Sequence, residues 1–318
     1  MTPRSDPGVR AEAGGPGDGT RAVAIGGGHG LARSLRALPG VVDHVTAVVT
    51  VADDGGSSGR LRRDLGILPP GDLRMALTAL AVDDALEEIV GYRFRRGELA
   101  GHSLGNLILV ALQELSGGDV VVALDRLAGL LGVPGRVVPC TTVPVTLHAT
   151  ASGGGVTGQA AVAATPRLDR VWLEPATPTG TPEAVAAIER ADLVVLGPGS
   201  LYTSLLPNLL VPDIAAAVVA TAAPVVYVAN LREQAGETEG MSVLDHLDAL
   251  TSHVPDLWVD LLIAHDGPEP APHGRPLPVA ADELTGRVGE LVFADLLDGH
   301  DGHAPAALAR VFDRVLRG

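Results

Sequence analysis

Short apolar runs, each ending in glycine or small polar residues and separated by helical patterns, constrain this chain more than any other feature. "RAVAI" (21–25) runs into "GGGHG" and "VTAVVTV" (45–51) into "ADDGG". "DLVVL" (192–196) runs into "GPGS", "APVVYV" (223–228) into "AN", and "LWVDLLIA" (257–264) into "HDG". Near-continuous runs of this kind mark strands buried on both faces. Between them, "LARSLRAL" (31–38), "LRMALTALA" continuing through "ALEEIV", "GHSLGNLILVALQEL" (101–115) and "VVALDRLAGLL" carry apolar residues at helical spacing. "TPEAVAAIERA" adds a helix with Thr181 as N-cap and Pro182 at its first position, and Ser242 with Asp245 caps another. Strands alternating with helices predict an α/β fold with a mostly parallel sheet covered on both faces. The stretch from about 136 to 171 breaks the rhythm. Its "VTLHATASGGGVTGQAAV" places a Gly-rich turn, Ser152–Gly155, between β-branched runs and predicts a β-hairpin insertion. Residues 1–20 read as a disordered tail and residues 21–318 as a single domain.

Composition narrows the chemistry. The net charge of −15 argues against nucleic acid or an anionic membrane as the main partner. All 23 basic residues are arginine, so a Walker-type or Schiff-base lysine is impossible. Any phosphate must be met by Arg, backbone N–H groups, a helix N-terminus or a metal. Cys140 is the sole cysteine, which excludes an internal disulfide and a Cys-based zinc site, and it is expected to be a small core residue. The uncharged run Ile214–Ala229 is broken by Pro224 and is too short to span a membrane. A cytoplasmic protein without membrane insertion is expected.

In parallel α/β sheets, ligands bind at the carboxyl ends of strands. After the first strand, Gly26, Gly27, Gly28, His29 and Gly30 lead into a helix and allow backbone N–H groups to approach an anion. The dinucleotide fingerprint is absent, because Leu31 occupies the position of its last glycine. After the second strand, Asp53 and Asp54 open a loop with Ser57 and Ser58. They can accept from ribose hydroxyls or hold Mg²⁺, or be neutralised by Arg60, Arg62 and Arg63. Asp72 reads as an N-cap ahead of Arg74. His102, Ser103 and Asn106 fall within one turn of each other at a helix start and can face one point. Gly197, Gly199 and Ser200 repeat the logic of the first loop, with Thr203 adding a hydroxyl. Asn230 leaves its strand with a paired donor and acceptor. Together these residues predict a phosphorylated, nucleotide-like ligand.

The motifs "GGGHGLARSLR", "VTVADDGGSSGRLR", "LGILPPGDLR", "GHSLGNL" and "VLGPGSLYTSLLPNLLVPDI", followed by "AGETEG" and "DHL", resemble the gluconeogenesis factor (YvcK-like) family. That family belongs to the superfamily of the 2-phospho-L-lactate transferases. The resemblance implies a Rossmann-like three-layer α/β/α core and a bacterial cytoplasmic regulator. Such a regulator would bind a UDP-sugar such as UDP-N-acetylglucosamine and serve cell shape on gluconeogenic carbon sources, as a homo-oligomer and with no required cofactor. The alternative it implies is a Mg²⁺-dependent transferase acting on a nucleotide-activated donor, with an acid in the Asp53/Asp54 region contacting the acceptor and "GPGSLYTS" binding phosphate. His29 departs from the family pattern, which has Thr there, and Arg232 and Ala235 depart from an uncharged residue and Pro.

Overall fold

The computed structural model describes residues 19–267, 274–299 and 302–317. Most of the expected tail and part of the Pro-rich loop at 265–278 lie outside the described residues. The main sheet is built from β1 (Arg21–Gly26), β2 (His44–Val49) and β3 (Arg136–Pro139) in the first part of the chain. A small sheet follows from β4 (Thr146–Ala151), β5 (Gly154–Thr157) and β6 (Leu168–Glu174). The main sheet then resumes with β7 (Leu193–Leu196), β8 (Val225–Val228), β9 (Leu261–His265) and β10 (Glu290–Ala294).

The seven-stranded sheet has the order β10-β9-β8-β7-β1-β2-β3, and every neighbouring pair is parallel. The residues of β7 and β8 are buried throughout, as strands covered on both faces require. On one face lie α1 (Gly28–Ala37), α3 (Pro70–Leu80), α6 (Val120–Leu130) and the C-terminal helix Pro305–Arg317, with α2 (Gly56–Leu65), α4 (Asp84–Gly91) and α5 (Leu104–Leu115) joining α3. Helices Pro182–Glu189 and Pro212–Ala220 pack together on the other. This is the Rossmann-like three-layer α/β/α fold. No single helix among the described residues is long and apolar enough to cross a membrane.

Several boundaries differ from the sequence reading. The strand expected at 257–264 begins at Leu261, because Asp260 turns its carboxylate onto the Val225 amide (2.8 Å) and its own backbone carbonyl accepts from Glu290. The insertion is a three-stranded antiparallel sheet, β5-β4-β6, spanning Thr146 to Glu174; β3 pairs with β2 in the main sheet. Thr181 stands at an N-cap and Pro182 follows it, yet the Thr181 hydroxyl makes no capping bond. The Ser242–Asp245 capping box is formed. Cys140, just after β3, is buried, and burial pushes its thiol up to about 12.

Candidate functional site

The chain leaves β1 toward β2 on one side and re-enters the sheet at β7 on the other. The carboxyl ends of β1 and β7 therefore flank the topological switch point, where a crevice is expected. Gly27 is extended, and α1 begins at Gly28, whose φ of +62° favours glycine. The stretch expected as a loop is thus the first turn of a helix, and its N-cap residue, Gly27, has no side chain to cap it. A Cβ on Gly30 would collide with the Pro198 carbonyl oxygen and lie 2.5 Å from the Gly199 Cα. The two glycine segments touch because neither carries a side chain there. Ser34 Oγ donates to the Gly197 carbonyl at 2.8 Å. Asn230 clasps Gly199 from the next strand end: its Oδ1 accepts from the Gly199 amide and its Nδ2 donates to the Gly199 carbonyl, both at 2.9 Å. Its paired donor and acceptor thus fix the loop. A cleft of about 230 Å³ opens here, lined by His29, Gly30, Arg33, Gly199, Asn230 and Gln234 among others. Arg33 is paired with Asp298 at 2.8 Å.

Beyond β7 the chain makes a π-helical turn, Leu201–Leu205, a form that often marks functional sites. Its N-terminus is met from inside the protein. Glu237, 2% exposed, accepts from the Thr203 hydroxyl (2.8 Å) and the Tyr202 amide (3.3 Å). Burial raises its carboxyl to about 7, against the hydrogen bonds that favour its charged form. Thr203 is buried with its hydroxyl held by Glu237, and Ser200 Oγ accepts from Gln234 Nε2 at 2.9 Å. The structure therefore does not place Thr203 in the crevice. Sequence reasoning missed the role of Glu237. The available signal was a helix start, "SLYTS", with no acidic residue of its own, and the acids of "AGETEG" to cap it.

The acid pair after β2 is split. Asp53 Oδ1 accepts from the Gly55 amide (2.9 Å), and Oδ2 lies toward Gly71. Asp54 turns the other way: its Oδ1 accepts from the Ala160 amide (2.9 Å) beside Gly158, at the edge of the small sheet. Asp72 comes to Asp53 instead. It is not an N-cap; Pro69 holds that position, and Asp72 sits in the first turn of α3 with its carboxyl near Gly27 and the Gly28 amide. Burial, and then the Asp53 charge, raise Asp72 to about 7, against the nearby Arg74 and the Gly28 hydrogen bond. Two of the arginines that follow the pair are used elsewhere. Arg60 donates to the Ala100 carbonyl and Arg62 to the Val145 carbonyl.

Gly56–Leu65 is a helix rather than a loop, and it carries Ser57 and Ser58 inward. Ser58 Oγ accepts from the Gly71 amide at 3.1 Å. Ser57 is the point on which His102 and Asn106 converge. Asn106 Nδ2 donates to Ser57 Oγ, and Ser57 Oγ meets His102 Nδ1, each at 3.0 Å. Arg74 Nε donates to Asn106 Oδ1 (3.0 Å), which fixes the amide's orientation. Ser57 then has its own proton for His102 Nδ1, so the neutral ring carries its hydrogen on Nε2. Burial, then Arg60, lower the His102 pKa and keep the ring neutral. Ser103 stays out of this cluster and caps α5 through the Asn106 amide. Burial and Arg93 lower the Arg74 pKa, while Asp72 opposes them.

Arg74 also lines a second cleft, of about 720 Å³, whose walls include His29, Arg36, Arg93 and Arg95. The exposed His29 thus borders both clefts. Among the described residues no group of three or more His, Cys, Asp or Glu could by itself hold a metal.

The model of the family described as 2-phospho-L-lactate transferase CofD matches residues 22–280. A Mycobacterium tuberculosis protein named "Putative gluconeogenesis factor" is 47% identical over 309 residues, spanning 92% of this chain and 89% of the relative. A Listeria monocytogenes protein named "Gluconeogenesis factor" is 40% identical over 305 residues, spanning 93% and 94%. The crystal structure of a UPF0052-family protein from Bacillus halodurans superposes with a TM-score of 0.87 at 36% identity, covering 94% of this chain and 99% of that one. Identity of 40% and 47% over 93% and 92% of the chain makes this kinship rather than likeness of architecture: the chain belongs to the CofD family, in the branch whose members are named gluconeogenesis factors.

Proposed function

We propose that this protein is a regulatory protein that binds a UDP-sugar of the UDP-N-acetylglucosamine type at the β1/β7 switch point. It serves cell-shape and envelope homeostasis on gluconeogenic carbon sources and does not turn its ligand over. One observation carries the binding reading: the first turn of α1, whose N-cap Gly27 has no side chain and whose Gly28 amide meets only the Asp72 carboxyl, opens beside the clasped Gly197–Ser200 segment. In a chain without lysine, a helix N-terminus is the natural seat for a diphosphate. Gly28 contributes because a Cβ there would point into open space, so the backbone stays accessible. The Glu237 carboxyl already occupies the turn after β7, which directs phosphate to the α1 side.

A specific observation supports a second reading, a Mg²⁺-dependent transferase. Asp72, beside the Gly28 amide, brings its carboxyl to Asp53, and burial and then the Asp53 charge raise it to about 7 against the nearby Arg74. A cation fits between two such carboxyls. Asp53 with Asp72, rather than with Asp54, would hold it, and Mg²⁺ would supply charge neutralisation on the phosphates of a donor.

Thermal unfolding with UDP-N-acetylglucosamine, in Mg²⁺ and again in EDTA, tests the two. Ligand at 100 times its Kd adds about 2.7 kcal/mol, a shift of roughly 5 °C or more for a chain this long. A shift that survives EDTA is expected. A shift seen only with Mg²⁺ and abolished by Asp72→Asn, or one produced by a guanosine nucleotide and not by the UDP-sugar, favours the transferase.

A further inference from the structure

The 720 Å³ cleft carries an imbalance of charge that neither reading uses. Four arginines line it: Arg36 from α1, Arg74 from α3, and Arg93 and Arg95 from the segment after α4. Arg36 is paired with Glu87 at 2.6 Å. Among the described residues, Arg74, Arg93 and Arg95 have no carboxylate within ion-pair distance. In a chain of net charge −15, three guanidiniums without a direct ion pair around one space, Arg74 alone feeling a carboxylate charge from Asp72, are not accounted for by general surface composition.

Their geometry is suited to capture. Arg74 is only 8% exposed, and its Nε is committed to Asn106, which orients the guanidinium and leaves its terminal nitrogens for the cleft. Arg93 is tethered through one terminal nitrogen to the Gly101 carbonyl at 2.7 Å. Guanidinium forks held in place match the paired oxygens of a phosphate. The remaining walls are of another kind. Tyr92 and Phe94 meet edge to face at 5.3 Å, and Ala32 and Met75 add apolar surface. Glu88 also lines the cleft and, among the described residues, is in no ion pair, so it is an acceptor for hydroxyl groups.

We infer that this cleft binds a phosphomonoester of a small hydroxylated carbon skeleton, a sugar phosphate by chemical class. The phosphate sits on Arg74, Arg93 and Arg95, the skeleton lies against Tyr92 and Phe94, and Glu88 accepts from a hydroxyl. The site adjoins the switch point through His29 but is separate from it, and it goes beyond the UDP-sugar reading.

The test is isothermal titration of the full chain at low ionic strength. The probes are glucose 6-phosphate, fructose 6-phosphate, dihydroxyacetone phosphate and 3-phosphoglycerate, with glucose and inorganic phosphate as comparators and UDP-N-acetylglucosamine titrated separately. At least one phosphomonoester is expected to bind more tightly than inorganic phosphate, and glucose not at all. The double variant R93Q/R95Q changes two exposed side chains and is expected to weaken that binding by at least about tenfold. Its melting temperature and its affinity for UDP-N-acetylglucosamine should be unchanged. Failure of all four esters to bind, equal binding of ester and inorganic phosphate, or wild-type affinity in the double variant would each overturn the inference. Loss of both ligand classes together in that variant would overturn it too, because the cleft would then be part of the nucleotide site. Ester binding that is lost in R93Q/R95Q, with no UDP-sugar binding by the wild type, would sink the UDP-sugar reading and leave this one standing.

Discussion

Glu237 sets a capping duty against the cost of burying a charge, and the outcome is readable by titration. Its ordinary value is 4.5 and its folded value about 7. Between these, the unfolded chain is ionised while the folded chain keeps its proton, so this group's contribution falls as pH rises and levels off above 7. Asp72 acts in the same direction. His246 and His303, lowered by burial to about 4, act oppositely: below 6.5 the unfolded chain takes up protons that the folded chain refuses. The two pairs offset each other in the wild type, so the comparison must be between variants. Glu237→Gln should gain about 3 kcal/mol relative to the wild type between pH 5 and pH 8. Urea midpoints across that range check the slope, which is independent of any fixed cost of placing an amide next to the Tyr202 N–H. Asn230 offers a plainer case. Asn230→Ala strands both polar groups of Gly199, and a loss of about 1–3 kcal/mol is expected in the same assay, with weaker UDP-sugar binding.

Among the elements, α1 and the segment after β7 are fitted to each other by the absence of side chains. Gly28 and Gly30 separate two reasons for glycine. At Gly28 the surroundings are open and only the φ of +62° resists substitution, so Gly28→Ala should cost about 1–2 kcal/mol. At Gly30 the obstacle is the backbone of Pro198 and Gly199. Gly30→Ala should cost about 1–3 kcal/mol and also separate the two segments, so its ligand affinity should fall further than that of Gly28→Ala. Chemical denaturation with UDP-sugar titration distinguishes the pair. The elements also show what the sequence could convey. Apolar runs located β1, β2, β7, β8 and β9, because a strand covered on both faces has no polar alternation to confuse it, whereas the half-exposed edge strand β10 went unlocated. Helix α2 escaped notice, since "GSSGRLRRDL" has the composition of a loop. It is helical because Ser57 and Ser58 bond inward and the closing Gly66 supplies a left-handed cap.

Across the whole molecule, adjacency in sequence proved a poor guide to adjacency in space at the acid pair. Asp53 and Asp54 are neighbours in the chain whose side chains serve different neighbours. Asp72, nineteen positions after Asp53, joins it only because α3 returns to the β1 end. That pairing is a product of topology and no local pattern encodes it. The same holds for the C-terminal helix, which lies beyond the family match at 22–280 yet packs on α1 and buries Leu308 and Phe312 completely. Phe312→Ala should cost about 3–5 kcal/mol by urea denaturation and, because α1 carries the crevice, should loosen ligand binding as well. Cys140 lies at the opposite extreme of accessibility, sealed behind β3 with its thiol held protonated. Together with the lack of lysine, this closes the molecule to thiol-directed and lysine-directed conjugation. A thiol introduced by Glu98→Cys, on the exposed turn after Arg95, would then be the sole group a maleimide dye could reach, and its fluorescence would report occupancy of the arginine cleft without removing any native residue in advance.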